Sequence, residues 1–464
     1  MPLQSAHDAC SFFLARLDEE VEQLRSTPFP GHHPGPRKWL AFVTGLIESG
    51  HIYLETAADP SAAEPEASKA LQFAEDLGNF AYDCLKHVAG ADASQIPHEI
   101  VAPFQRWVDQ LDIQNTIFFR AEHLPNYELG VFYLNYFSTI SPCSPSLNSA
   151  LANFGSLPVL RVTVPGYAMG MLPHFAVVAH ELGHAIQTKI KPDFSSHKQA
   201  ADDCYKRIKT RLDTKDIVLN QKILFQISNI QNNWINELKA DAVGHCVVGP
   251  AFFFALCGFL ELSGRNYGVS STHPPSSLRQ TLLIKQLSSE NKSFIDVFYA
   301  KTGLKIDKDT NGPHIPECPK ANTLVQKLER NFDYTYAVIC TELIPFISAI
   351  GADIYGAAIS YLQTSAAEII YTPDQLEADL KYHLDPLCNL VPPIETLNAK
   401  GAHAASLSSI LNVGWAGLLT RLDNFPEPAG NDGDVKAKKM ERLHELLLKA
   451  VELSEARLLW EEQQ

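Results

Sequence analysis

The sequence predicts an α+β protein that is predominantly α-helical. Apolar residues recur at helical spacing through residues 1–110, again after Pro192, and from Asn322 to the end of the chain. Only the stretch from Asp112 to Pro165 is rich in β-branched and aromatic residues bounded by turn residues. With 464 residues, of which 45% are hydrophobic, the chain can bury a large core in more than one subdomain.

The first third of the chain contains helices followed by a small sheet. The helical period predicts helices over Ala6–Leu24, Lys38–Ala57 and Ala67–Val88. Three strands are predicted after them, over Ile113–Phe119, Gly130–Phe137 and Leu157–Pro165. The last strand leads almost directly into the next helical segment, so we expect the sheet to lie beside that helix.

Later elements are helical. A long helix is predicted from Val218 to Val248, ended by Gly249-Pro250, and another opens after Pro274-Pro275. The Asp307–Ala321 loop marks a boundary, and the helices beyond it are broken near Val391–Ala404 and Pro426–Asp434 before a last helix, Val435–Glu462. The chain therefore divides into an N-terminal helical region (1–110), a central domain (111–306) and a C-terminal helical region (322–464).

Composition indicates which partners and which cellular location the protein is expected to have. A net charge of −15 argues against nucleic acid or an anionic membrane surface as a partner. The nine cysteines are odd in number and form no CxxC pair, which favours a reducing, cytoplasmic location, and the N-terminus lacks the basic region of a secretory signal. The two most apolar stretches, Pro250–Leu262 and Leu343–Leu362, are predicted to be core helices and not membrane spans.

The central motif is His180-Glu181-Leu182-Gly183-His184, an HExxH pattern. Two histidines at i and i+4 lie about 40° apart on a helix face, so both imidazoles can bind one Zn²⁺. Glu181 lies about 100° further round, where it can act as general base on a metal-bound water. Gly183 costs about 1 kcal/mol of helix propensity relative to Ala, which close approach of another backbone or of a substrate would explain. A chance match on an ordinary helix is the alternative.

A catalytic zinc also needs a third protein ligand. The HExxHxxGxxH arrangement is rejected because Gln187 and Ile190 stand where Gly and His are required. A Glu from a later helix is the other common solution, and Glu237 fits it. Asp241, one turn later, would hold a ligand histidine in its tautomer. An exposed Glu and Asp on an amphipathic helix is the alternative.

The three segments HELGH, ELKADAVG and THPPSSLR, in that order, resemble the HtpX and CAAX-prenyl-endopeptidase family of gluzincins over about residues 165–290. The resemblance implies a zincin-like catalytic domain with His180, His184 and Glu237 as zinc ligands and Glu181 as the base. It also implies that His273 hydrogen-bonds the oxyanion and that Arg279 anchors its loop. Many members of that family are embedded in membranes, whereas this chain has no convincing span.

We therefore expect a zinc-dependent endopeptidase that acts on a protein or peptide substrate. Two alternatives stay open: a zincin-like scaffold that binds a partner without turnover, and an exopeptidase. The sequence does not give the substrate or the oligomeric state.

Overall fold

The structure is a computed structural model. It describes residues 2–29, 35–91, 96–113, 116–122, 127–132, 134–154, 159–166, 170–262, 270–288, 293–306, 333–398, 401–426 and 434–463. The predicted loop Asp307–Ala321 lies outside these residues.

Within the described residues the chain is mostly helical with a small sheet, which confirms the predicted predominance of helix. The helices up to the HExxH motif are α1 (Pro2–Arg25), α2 (Gly35–Ala58), α3 (Glu64–Ala89), α4 (Val101–Gln110), α5 (Pro145–Phe154) and α6 (Val178–Ile186). Those that follow are α7 (Lys198–Asp213), α8 (Gln221–Val248), α9 (Pro250–Leu262), α10 (Ser276–Leu287), α11 (Phe294–Thr302), α12 (Tyr334–Ser365), α13 (Pro373–Cys388), α14 (Leu407–Thr420) and α15 (Val435–Glu461).

The strands form two separate sheets. The first contains β1 (Thr116–Glu122), β2 (Glu128–Phe132) and β3 (Val159–Pro165) in the order β1-β3-β2. Strands β1 and β3 are parallel, whereas β2 is antiparallel to β3. The central strand β3 is buried at every residue, as its unbroken apolar pattern requires. The second sheet is the antiparallel pair β4 (Glu395–Asn398) and β5 (Gly401–Ala404).

The chain divides into two compact units. The first comprises residues 1–109 and 114–169, where α2 packs against α1, α3 and α5 around buried Trp39 and Phe42. The second comprises residues 110–113 and 170–464, and its central helix α8 packs against α6 and α12.

This division groups the elements differently from the sequence analysis. The three-stranded sheet belongs to the unit of the N-terminal helices, and the helices after residue 333 belong to the unit of the HExxH helix. Helix α5 of the segment 114–169 packs against α2, and β1 contacts α2 and α3, which no local pattern reveals. The three predicted regions, as independent domains, stay a prediction.

Several elements differ from their predicted bounds. The strand predicted over Gly130–Phe137 is described only as far as Phe132, and its predicted last part is not strand, because it lies in another element. A 3-10 helix, Leu134–Thr139, follows. Helix α7 and the β4–β5 hairpin were not predicted, since α7 is strongly polar and each strand of the hairpin has only four residues.

One helix of the described chain, α12, is long and apolar enough to cross a membrane by length and composition. In the structure 67% of its most apolar window is buried. It packs against α7, α8 and α10 inside the second unit.

Candidate metal centre

The HExxH helix is short and held at its start by the C-terminal helices. Residues Leu172–Val177 form a 3-10 helix, and α6 begins at Val178. The Trp415 indole N–H on α14 donates to the Pro173 carbonyl at 2.9 Å. On α15, His444 Nδ1 accepts the Leu172 N–H at 2.9 Å. These bonds fix the backbone that leads into the motif.

Three donor groups converge between α6 and α8. The Nε2 atoms of His180 and His184 lie 3.0 Å apart, which confirms that their spacing brings both imidazoles to one place. Glu237 Oε2 lies 3.5 Å from His180 Nε2, and Glu237 Oε1 lies 3.4 Å from His184 Nε2. One ligand atom from each of these three residues lies within 4.8 Å of those of the other two.

The size of this triangle fits a metal ion. A tetrahedral ion with metal–ligand bonds of about 2.0–2.1 Å separates its ligand atoms by about 3.3–3.4 Å. The His180–His184 separation of 3.0 Å and the two His–Glu separations of 3.5 and 3.4 Å, one to each oxygen of Glu237, are close to this value. Glu237 Oε2 is buried and, in the described part of the chain, accepts no hydrogen bond. A buried carboxylate oxygen left in this way is costly in a metal-free protein. The His180-His184-Glu237 cluster is therefore able to hold a metal ion.

A buried ion pair, Asp241 with Arg279, lies next to the cluster and contacts His180 and Glu237. Asp241 Oδ1 lies 3.0 Å from His180 Nδ1, an ion-pair distance that favours a proton on Nδ1 and leaves Nε2 as the ligand atom. Arg279 forms a bidentate salt bridge with Asp241, in which Nε donates to Oδ2 at 2.8 Å and Nη2 donates to Oδ1 at 2.6 Å. Arg279 Nη1 is also 3.5 Å from Glu237 Oε2. Asp241 is fully buried and Arg279 nearly so.

The electrostatics of the cluster favour a cation. Burial alone would lower the pKa of His180, but Asp241 and Glu237 outweigh it and raise that pKa to about 10. Burial would raise the pKa of Glu237, yet His180, Arg279 and His184 hold it well below its usual range. The pKa of Asp241 is lowered against burial by Arg279 and His180. Both carboxylates are therefore anionic, and positive charge at the His180 imidazole is stabilised.

The second imidazole has a partner of its own. Gln187, in the turn that follows α6, places Oε1 3.3 Å from His184 Nδ1. The amide oxygen can only accept, so this contact assigns the proton to Nδ1 and leaves Nε2 as the ligand atom. Lys239 on α8 in turn donates to the Gln187 carbonyl at 3.2 Å. No motif in the sequence indicates that Gln187 belongs to the site.

Gly183 allows the two metal-binding helices to touch. A Cβ at this position would lie 2.4 Å from Ala240 Cα and 2.9 Å from the Ala240 carbonyl oxygen. The neighbour that explains the glycine is therefore the backbone of α8. This approach brings Glu237 within reach of the α6 imidazoles.

We expect Gly183→Ala to separate the two helices. Overpacking of this kind typically costs about 1–3 kcal/mol, and here it also widens the donor triangle. Chemical denaturation should show reduced stability, and competition with a chelator should show weaker zinc binding. Gly356→Ala on α12 is the matched control, because a Cβ there meets nothing within 4 Å. Equal stability and zinc affinity in the two variants would contradict the packing argument.

Glu181 and His273 complete the predicted set. Glu181 is buried on α6 between the two histidines. His273, in the loop before α10, places Nε2 3.7 Å from Glu237 Oε2. Its side chain is 45% exposed, in contrast to the buried His180. The structure therefore brings His273 to the edge of the cluster but not into the triangle.

Comparisons with protein-family models, with curated proteins and with solved structures found no match. The resemblance to HtpX and the CAAX-prenyl endopeptidases thus rests on the three motifs alone.

Asp241 has two roles in this geometry, of which the sequence indicated one. We expect Asp241→Asn to weaken zinc binding about 10–100-fold, because His180 loses an anionic partner. The variant should also lose stability, by as much as about 3–5 kcal/mol, because the buried Arg279 charge loses its bidentate partner and keeps the more distant Glu237 carboxylate. Chelator competition and urea unfolding measure the two effects. Asp213→Asn, at an exposed position, is the control, and unchanged zinc affinity in Asp241→Asn would contradict the first role.

Proposed function

We propose that the protein is a zinc-dependent endopeptidase. The observation that carries this proposal is the triangle of His180, His184 and Glu237, with Glu181 on the same short helix. Two imidazoles and one carboxylate leave one position open for water or substrate in a tetrahedral site. That ligand set is typical of zinc hydrolases, and its borderline-soft nitrogen donors suit Zn²⁺ better than Mg²⁺ or Ca²⁺.

The chemistry follows from the positions of the side chains. When bound, a zinc ion supplies a Lewis acid and lowers the pKa of a coordinated water towards about 7. Glu181 takes a proton from the attacking water and delivers it to the leaving amine, which a single carboxylate can do in both directions. His273 donates a hydrogen bond to the substrate oxygen as negative charge develops there. Asp241 and Gln187 keep the two ligand imidazoles in their metal-binding tautomers.

Exposure indicates the side from which a substrate enters. His180, Glu237 and Asp241 are buried. The His184 side chain is 24% exposed and that of His273 is 45% exposed. A peptide would approach along the side of the cluster formed by these two histidines. The closed side, where Arg279 lies, would exclude water from the zinc ligands and strengthen their electrostatic interactions.

The proposal also covers the organisation of the catalytic unit, its partner and its location in the cell. The unit that contains α6 and α8 would have a zincin-like organisation, and the partner would be a protein or peptide substrate. A cytoplasmic location and the absence of a nucleic-acid partner stay predictions from composition.

An internally quenched peptide library with both ends blocked tests the proposal. An endopeptidase cleaves such peptides, and the activity should vanish with a chelator and return with zinc. An exopeptidase would cleave only peptides with a free terminus. A non-catalytic scaffold would bind zinc yet cleave neither class, an outcome that would refute the proposal.

A further inference from the structure

The loop that carries His273 is fastened to the metal-binding helix α8. The Trp234 indole N–H donates to the Ser270 carbonyl at 2.9 Å, and the Asn233 amide donates to the Ser271 carbonyl at 3.0 Å. Trp234 is fully buried and lies one turn before Glu237. The same helix therefore supplies a zinc ligand and fixes the turn at residues 270–273.

Hydroxyl groups inside this turn form a directed chain. The Ser270 hydroxyl oxygen accepts the backbone N–H of His273 at 2.9 Å and that of Thr272 at 3.2 Å. Both of its lone pairs are thus used, so its own proton must be donated. The nearer acceptor is Thr272 Oγ1 at 2.9 Å, whereas His273 Nδ1 lies at 3.4 Å. Thr272 Oγ1 in turn lies 2.8 Å from His273 Nδ1.

We infer that the Ser270 and Thr272 hydroxyls form a relay that holds His273 as the tautomer protonated on Nε2. Ser270 donates to Thr272, and Thr272 donates to His273 Nδ1, so the hydroxyl protons of Ser270 and Thr272 are both used within the turn. Nδ1 is then the acceptor, and the proton of the neutral imidazole resides on Nε2. Thr272 and Ser270 are positioning residues that act through His273.

The assigned tautomer decides what His273 does beside the cluster. A protonated Nε2 has no lone pair for a metal, so His273 is not a fourth ligand although Nε2 lies only 3.7 Å from Glu237 Oε2. It is instead a hydrogen-bond donor at the open side of the site. Its catalytic consequence rests on the proposed peptidase function, whereas the tautomer itself does not.

Nitrogen-15 NMR of the ring of His273 tests the tautomer without any assay of activity. Protein labelled in histidine, with and without added zinc, is compared with His273→Gln to assign the signal. We expect a protonated Nε2 and an unprotonated Nδ1 in the wild type, and a mixture of tautomers in Thr272→Val, which keeps the shape but removes the hydroxyl. Thr272→Ser should restore the wild-type pattern. A protonated Nδ1 in the wild type, or no change in Thr272→Val, would overturn the relay.

Kinetics test the consequence. Thr272→Val should lower kcat about 10–100-fold with little change in KM or zinc content, and Thr272→Ser should keep kcat close to the wild type. Equal kcat in Thr272→Val and wild type would remove the relay from catalysis even if the tautomer shifts. A wild type that cleaves no peptide would refute the peptidase proposal, while the NMR result would still decide the relay.

Discussion

Glu181→Gln is expected to lower kcat about 10²–10⁴-fold while zinc content and thermal stability stay close to those of the wild type. The amide has nearly the shape of the carboxylate, so it preserves the packing of this buried position. It cannot accept a proton from water, and it removes no member of the ligand triangle. The effect should therefore appear in kcat and kcat/KM together and not in KM alone.

The measurement compares initial rates and zinc content on the same preparations. Glu261→Gln, an exposed glutamate on α9, is the control for the chemical change. Activity of Glu181→Gln within about tenfold of the wild type would show that another group is the base. A fall in activity that matches a loss of zinc would instead show that Glu181 acts through the metal site or the fold.

Glu237→Ala is expected to cause the second large effect, the loss of stable zinc binding. It removes the only carboxylate of the triangle and leaves two imidazoles, which is too few for a catalytic zinc site. It also removes an anionic neighbour, 3.5 Å from Nη1, of the buried Arg279. The Asp241–Arg279 pair stays intact, so the chain should still fold.

Chelator competition with wild type, Glu237→Ala and the control Glu261→Ala measures this effect. The control should bind zinc as the wild type does. Tight zinc binding by Glu237→Ala would mean that another carboxylate completes the site. Circular dichroism of the same samples shows whether each variant is folded.

The sequence was most informative where chemistry depends on local spacing. His180 and His184 are four residues apart, so any helix brings their imidazoles together. Helix α8 was predicted from Val218 to Val248 and begins at Gln221, where Asn220 caps it by accepting the Ile223 N–H. The predicted end at Val248 is confirmed, because Gly249 adopts a positive φ that ends the helix.

Tertiary packing determined what the sequence could not give. Arg279 was expected to anchor the loop before α10, with no partner named. In the structure it pairs with Asp241, 38 residues earlier in the chain, and both are buried behind the cluster. Gln187 stands where the HExxHxxGxxH motif has a glycine. It therefore counted only as a reason to reject that motif, and its side chain was not considered as part of the site. The bond from Trp415 to Pro173 spans 242 residues. Such contacts depend on how helices pack and leave no periodic signal.

Tertiary packing also determines which compact unit contains the three-stranded sheet. The strand β3 precedes α6 by few residues, which suggested that sheet and helix share one domain. Its partners β1 and β2 and the helices that contact them belong to the N-terminal unit instead. Nearness in sequence is a weak guide at a boundary between compact units.

Zinc analysis combined with X-ray absorption spectroscopy on the purified full chain tests the central claim most directly. The account predicts about one zinc per chain, bound by two imidazole nitrogens and by oxygen at about 2.0–2.2 Å. Loss of one imidazole from the spectrum of His184→Ala would assign the ligand. A folded, unchelated preparation that contains no zinc and takes up none when zinc is added would contradict the account.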